Sequence, residues 1–367
     1  MKQVVLVAGV DYEFTGVDFR LLCDNRRKRL TAANTAREDL TFITLDFRSG
    51  VIDVTKVTYP DGSKVEHTTR SATFAAVGRG SYTTVTYPDR TSHTRFKPGQ
   101  SGVLSILDVY ATIRAIGAAD PGTLAELSFF SHGWMGGPLL VNSDDDRSAV
   151  VPVPSISPAA TTVTLSLIGT TLRDPDDKDP RAQFDFVAPT MDAAALANFR
   201  KAFASDGLAW LWGCAFPEVV HHVLTAIERS SDYRSTGLSD DDELTLTRLN
   251  AEDVLYLERV LRPLLGPFPA PRTTVKLKFK YLKYFLCVVN RSSYAARFAD
   301  ASNVSTLAAP LGTYTVYDSG TLPLMSVFSG FTRHFTLYRN YAGMTFDTER
   351  RNYGIFLPGT SCPAPSP

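Results

Sequence analysis

The stretch LAELSFFSHGWMGG, residues 124–137, carries an apolar run that stops abruptly at Ser131-His132-Gly133, with Gly136 and Gly137 following. A short apolar run bounded by glycines reads as a buried strand that gives way to a loop. The histidine then stands at the strand's tip. A second run has the same build: LAWLWGCAF, residues 208–216, ends in Gly213-Cys214. Two buried strands, one tipped by His-Gly and the other by Gly-Cys, would bring a base and a thiol to one edge of a sheet.

The surrounding chain supplies the pattern of a parallel sheet. Residues 4–8 (VVLVA) and 40–47 (LTFITLDF) read as strands, with a basic segment over 20–37 as a candidate helix between them. Ser101 can cap a helix over 102–116 that Gly117 would stop, just before the strand that leads to His132. Thr190 can cap another over 191–204, and Gly207 would open the strand to Cys214. Pro217 suits the first turn of a further helix, whose stripe of Val220, Val223, Leu224 and Ile227 extends to about Arg229. Alternation of buried strands with amphipathic helices predicts an α/β fold, a mainly parallel sheet flanked by helices.

Other segments read as additions to that core. The pentapeptide VTYPD occurs at residues 57–61 and 85–89, and Pro60-Asp61-Gly62 is a turn signal, so 48–98 reads as a β-hairpin insertion that caps an edge or shapes a cleft. Residues 138–190 form a long insertion with acidic loops at 144–146 and 174–179. The second, DPDDKD, lacks the turn glycine and terminal glutamate of a calcium loop and reads as a solvated loop. Residues 230–242 read as an exposed loop, and Asn250 with Asp253 as a capping pair for a helix bearing Val254, Leu257 and Leu261. Alternating Lys276, Lys278 and Lys280 mark a half-buried strand over 275–279. A helix over 293–301, strands over 313–317 and 324–328 and a loose terminal tail complete the chain. Residues 1–265 are expected to form the core, with 266–367 completing or extending the same domain.

Composition narrows the function. Lys plus Arg balance Asp plus Glu at 38 each in 367 residues, which gives no electrostatic footprint for nucleic acid. No apolar stretch has the length of a membrane span, and the N-terminal run is too short for a signal-peptide core. The four cysteines, Cys23, Cys214, Cys287 and Cys362, form no CxxC pair. That spacing argues against a disulfide framework or zinc site and for a reducing, cytoplasmic setting. No cofactor or metal is called for. Cys362, in the tail, reads as incidental.

A thiolate is the attacking form of cysteine. Cys214 precedes a helix start, whose dipole favours negative charge, and His132 could take up its proton and return it. Backbone N–H groups of Gly133 and Cys214 could hold a developing oxyanion. His67, His93 and His334 have no companions that suggest ligands, and His221 and His222 read as ordinary helix residues. Trp134 and Trp212 flank the strand ends and could line a cleft. Asp11, Glu13 and Asp18, in the loop after the first strand, could pair with a basic side chain.

An apolar run ending in His-Gly, followed by one ending in Gly-Cys, resembles the caspase-like cysteine peptidases, the group of caspases, metacaspases, gingipains, clostripain and separases. The resemblance covers about residues 125–133 and 208–214. It implies a caspase-like sheet with the two residues on neighbouring strands, His132 as base, Gly133 as oxyanion donor and Cys214 as nucleophile. It further implies a peptide or protein substrate and a specificity role for the loop that holds Asp11 and Glu13; with Trp134, from its place beside the strand ends, these are the expected substrate contacts. The caspase pentapeptide is absent, since Ala215-Phe216-Pro217 follows Cys214. The rivals are a serine esterase, because HGWMGG also resembles an oxyanion loop, and a non-catalytic scaffold. The esterase lacks its G-x-S-x-G elbow anywhere in the chain.

Overall fold

A computed structural model describes residues 1–86, 92–97, 100, 102–143, 148–152, 162–166, 185–188, 190–269 and 273–366. The main sheet has nine strands: β1 (Lys2–Ala8), β2 (Leu40–Asp46), β3 (Val51–Thr58), β4 (Val65–Ser71), β5 (Leu124–Phe130), β6 (Phe203–Leu211), β7 (Ser305–Ala308), β8 (Thr345–Phe346) and β9 (Gly354–Phe356). Across the sheet they run β8-β9-β7-β6-β5-β1-β2-β3-β4. The five central strands, β2, β1, β5, β6 and β7, are parallel; β3, β4, β8 and β9 add antiparallel margins.

Period-two alternation divides the core into two layers. On β1, Val4, Leu6 and Ala8 enter one layer with Phe19, Leu22, Val223, Leu257 and Phe285. Val5 and Val7 enter the other with Val109, Ile113, Phe129, Phe199 and Phe298. The first layer is built from α1 (Phe19–Ala33), α4 (Glu218–Arg229), α5 (Ala251–Leu265) and α6 (Phe279–Ser292). The second is built from α2 (Ile106–Ala119), α3 (Ala193–Ala202) and α7 (Tyr294–Ser302). A last helix, α8 (Thr332–Tyr341), packs on α4. Strands buried on both faces need near-continuous apolar runs, which is why β1, β2, β5 and the end of β6 are legible in the sequence.

One polar thread crosses the first layer. Arg26 of α1 meets Glu126 of β5 through Nε at 2.8 Å and Nη2 at 2.7 Å, and lies over the Trp210 and Trp212 rings at 5.4 Å from each. Removing one partner of such a pair leaves a buried charge and costs about 3–5 kcal/mol. The pair fixes α1, and hence the loop before it, against the strand that ends at His132.

Several elements differ from expectation. The second helix starts at Ile106, capped by Ser105 in a reciprocal box with Asp108; Ser101 lies outside the described residues. Gly117 does not stop it. It lies within the helix because a Cβ there would stand 1.8 Å from the Asn198 carbonyl oxygen of α3. Asp192, not Thr190, caps α3, and Gly207 lies inside β6 at a register shift rather than at its start. The first VTYPD hairpin, expected to cap an edge, does so as part of the sheet: β3 and β4 continue it beyond β2. Tyr82–Thr86 and Ser92–Phe96 pair separately; the second VTYPD turn and both acidic loops lie largely or wholly outside the described residues. β7 joins the parallel centre from residues beyond 265, so the C-terminal third supplies core strands. The loop 230–242 is tied to α8 by hydrogen bonds from Tyr341 Oη to the Arg234 carbonyl and from Asn340 to that of Ser235.

The disulfide expectation is overturned. Cys287 of α6 and Cys362 of the tail are bonded at 2.01 Å, so the tail is pinned and Cys362 is not incidental. Cysteine spacing could not reveal a pair 75 residues apart. The spacing argument for a reducing compartment falls with it. Among the described residues, no helix is long and apolar enough to cross a membrane.

Candidate functional site

β5 and β6 are parallel neighbours with Leu211 opposite Phe129, and Trp212 N donates to the Phe129 carbonyl at 3.0 Å. Continued three residues, that register sets Cys214 level with His132. The two chains then close on each other. A Cβ on Gly133 would lie 2.8 Å from the Cys214 carbonyl oxygen, and one on Gly213 would lie 2.8 Å from Gly133 N and 2.9 Å from Ser131 O. Both glycines are therefore demanded by close approach of backbone to backbone. Ser131 is fully buried and donates its hydroxyl to the His132 carbonyl at 2.6 Å, which leaves it no nucleophilic role.

His132 is held on three sides. Its Nε2 lies 3.2 Å from Asp11 Oδ1, and its ring meets Tyr12 at 4.7 Å and Phe19 at 5.3 Å between centroids. Asp11 Oδ2 accepts the Gly16 N–H at 2.8 Å and that of Val17 at 3.1 Å. Burial pushes the Asp11 carboxyl up, but the hydrogen bonds from His132, Gly16 and Val17 outweigh it and hold the group below the usual carboxylate range. An ionised carboxylate only accepts, so the Nε2 of His132 donates to it, and in the neutral form of the ring Nδ1 is the nitrogen that keeps the lone pair. Asp11, expected to meet substrate, is instead spent on the histidine.

Cys214 is half-buried, and its partners come from the C-terminal third. Its Sγ lies 3.3 Å from Thr315 Oγ1 and accepts the Thr315 N–H at 3.4 Å. The next residue, Ala215, is bridged to Thr313 by N–H to carbonyl at 3.1 Å. No hydrogen bond joins the thiol to the imidazole. A narrow apolar cavity opens beside the strand ends, lined by Gly133, Trp134, Met135, Gly213, Cys214 and Ala215 among others.

Of the remaining expected residues, Trp134 lines that cavity, whereas Glu13 is exposed and has no ion pair among the described residues. Trp212 does not line a cleft. It is fully buried, stacked between Phe130 at 4.9 Å and Trp210 at 4.4 Å. Asp18 caps α1 through the Leu21 N–H. Two features escaped the sequence. Thr315, which holds the sulfur, sits on a three-residue strand, Thr315–Tyr317, with no local mark of its role. His334 is buried on α8 between Glu228, which accepts from its Nδ1, and His221 Nδ1 at 3.0 Å from its Nε2. His222 pairs with Asp253 at 3.0 Å.

Both ring nitrogens of His334 are occupied in this way, and no group of three metal-ligating side chains exists among the described residues. Comparison with family models, curated proteins and solved structures finds no match to this chain.

Proposed function

We propose that this protein is a cysteine hydrolase of caspase-like type, an endopeptidase that acts through an acyl-enzyme on Cys214. The observation that carries the reading is the adjacency of two strand ends, His132-Gly133 on β5 and Gly213-Cys214 on β6, joined by backbone contact that only glycines permit. In the family that the motifs resemble, base and nucleophile stand on neighbouring strands of one α/β sheet. Asp11 supports the base role, since it fixes the tautomer that leaves Nδ1 free to take a proton.

In this mechanism His132 takes the thiol proton, Cys214 attacks the peptide carbonyl, and the Gly133 N–H receives the developing oxyanion. The proton passes to the leaving amine, and water then releases the acyl group with His132 as base.

An extended peptide has a place to lie. In the pair Thr315–Tyr317 with Met325–Val327, the Phe328 N–H reaches Tyr314 O and the Asp318 N–H reaches Leu324 O. Alternation turns the backbone groups of Thr315 and Tyr317 to the opposite edge, the one on which Cys214 sits. No other strand pairs with that edge among the described residues. Such an edge binds an extended chain by strand addition.

The test is a positional peptide library. Cleavage by the wild-type protein, lost in Cys214→Ala and in His132→Ala while thermal unfolding is retained, supports the reading. Cleavage that survives Cys214→Ala and falls to a serine reagent would replace it with the esterase. A blank profile with a reactive thiol would favour the scaffold.

A further inference from the structure

We propose that the outward face of the Thr315–Tyr317 hairpin selects the substrate by taking a large apolar side chain, aromatic for preference, next to the cleaved bond. The proposal rests on the thiol-hydrolase reading and adds a substrate class to it.

Large apolar side chains that stand exposed are mostly scattered over a protein surface and need no explanation. Here Tyr314, Val316, Tyr317 and Phe328 are 37%, 37%, 45% and 39% exposed, and all belong to one short hairpin. The hairpin alternates. Val327 and Met325, opposite Thr315 and Tyr317, are buried, whereas Tyr314, Val316 and Phe328 share the outward side. Tyr314 stacks parallel on Phe328 at 5.3 Å between centroids. Edge-on contacts join it to Phe331 at 4.9 Å and Phe216 at 5.8 Å. The result is a preformed aromatic platform, held by its own ring contacts.

Its location names the occupant. Tyr314 is the residue before Thr315, which holds the Cys214 sulfur, and Phe216 is the second residue after Cys214. Both chains that bound the platform therefore reach the thiol within two residues. A peptide added to the open edge of Thr315–Tyr317 turns alternate side chains to the Tyr314 side. The contact is then made by a substrate side chain close to the reacting carbonyl.

The experiment compares peptides that differ only in one residue flanking the cleaved bond, Phe against Ala against Lys. The wild-type protein should prefer Phe over Ala by roughly ten-fold or more in kcat/KM, the range a filled apolar pocket provides. Tyr314→Ala with Phe328→Ala should remove most of that preference, lowering kcat/KM for the Phe peptide about ten-fold more than for the Ala peptide, with Cys214 alkylation by iodoacetamide unchanged. Val316→Asp, a surface change that removes no ring contact, should raise the Lys peptide relative to Phe. Equal losses for all three peptides, or an intact Phe preference in both variants, would overturn the proposal. Iodoacetylated phenylalanine amide and its alanine counterpart separate this failure from failure of the hydrolase reading. Faster alkylation of Cys214 by the phenylalanine reagent without any peptide cleavage would refute hydrolysis and keep the platform. Cleavage with no apolar selectivity would keep hydrolysis and refute the platform.

Discussion

Asp11→Asn is isosteric, yet its effect on catalysis should be large. In the wild-type protein Oδ2 accepts from Gly16 and Val17 at 2.8 and 3.1 Å, and Oδ1 accepts from His132 Nε2 at 3.2 Å. The asparagine has one oxygen. Meeting both backbone donors with it turns its NH2 group toward His132, where it can only donate. The imidazole must then accept at Nε2 and carry its proton on Nδ1, the nitrogen required as base. Loss of the correct tautomer in a nucleophile–histidine–carboxylate array costs about 10⁴-fold in kcat. The expected result is a fall of about 10³–10⁴-fold in peptide hydrolysis, with the unfolding transition largely kept because the hydrogen bonds from the Gly16 and Val17 N–H groups survive. The same change bears on acid stability. The folded-state value of Asp11 lies below its unfolded one, so its contribution is present above about pH 4 and is lost as pH falls through the depressed value. Asp11→Asn should weaken the stability that urea unfolding shows being gained as pH rises through that depressed value. Hydrolysis within about three-fold of wild type, in a folded Asp11→Asn protein, would refute the tautomer argument.

Gly213→Ala places a methyl 2.8–2.9 Å from Gly133 and Ser131 backbone atoms, against an ordinary contact of 3.4–4 Å, so the strand ends must part by about half an ångström. Overpacking of this kind costs about 1–3 kcal/mol, and misplacement at the reacting groups should lower kcat/KM by up to about 10²-fold; a neutral phenotype in both would contradict the close approach. Thiol counting is a second check: Cys23 is wholly buried, its thiol pushed up by that burial, and Cys287 is bonded to Cys362. Iodoacetamide should label one thiol in the native protein, two after denaturation and four after reduction, and native labelling at Cys23 would be inconsistent with the fold. A third concerns His221, which burial and the neighbouring His334 push down. The unfolded chain then takes up this proton first as pH falls below about 6.5, so stability should decline from pH 7 toward pH 5. His221→Phe should flatten that decline in urea titrations, and an unchanged slope would remove His221 as its source.

Legibility followed burial. β1, β5 and the last residues of β6 are covered on both faces, so their runs are largely apolar, and of the expected helix caps only the pair Asn250 with Asp253 was legible, Ser105 and Asp192 serving where Ser101 and Thr190 were expected. The α/β class and the two strand tips came from the same signal. Gly117 misled because a glycine within a helix and one that ends it look alike in sequence; only the 1.8 Å approach of Asn198 distinguishes them. β7, β8 and β9 are two to four residues long, below the length at which alternation has meaning. The partners of the candidate groups were the least legible. Asp11 is 121 residues from His132, Thr315 is 101 from Cys214, and His334 is 113 from His221. Such pairings arise from sheet order and helix packing, which no local pattern encodes.

Acyl-enzyme trapping tests the central claim most directly. An activated peptide ester, quenched in acid within one turnover and digested, should leave its acyl mass on the fragment that contains Cys214. The adduct should be absent in Cys214→Ala and slowed in its formation in His132→Ala. An acyl group on a serine, or turnover with an unmodified Cys214, would contradict it.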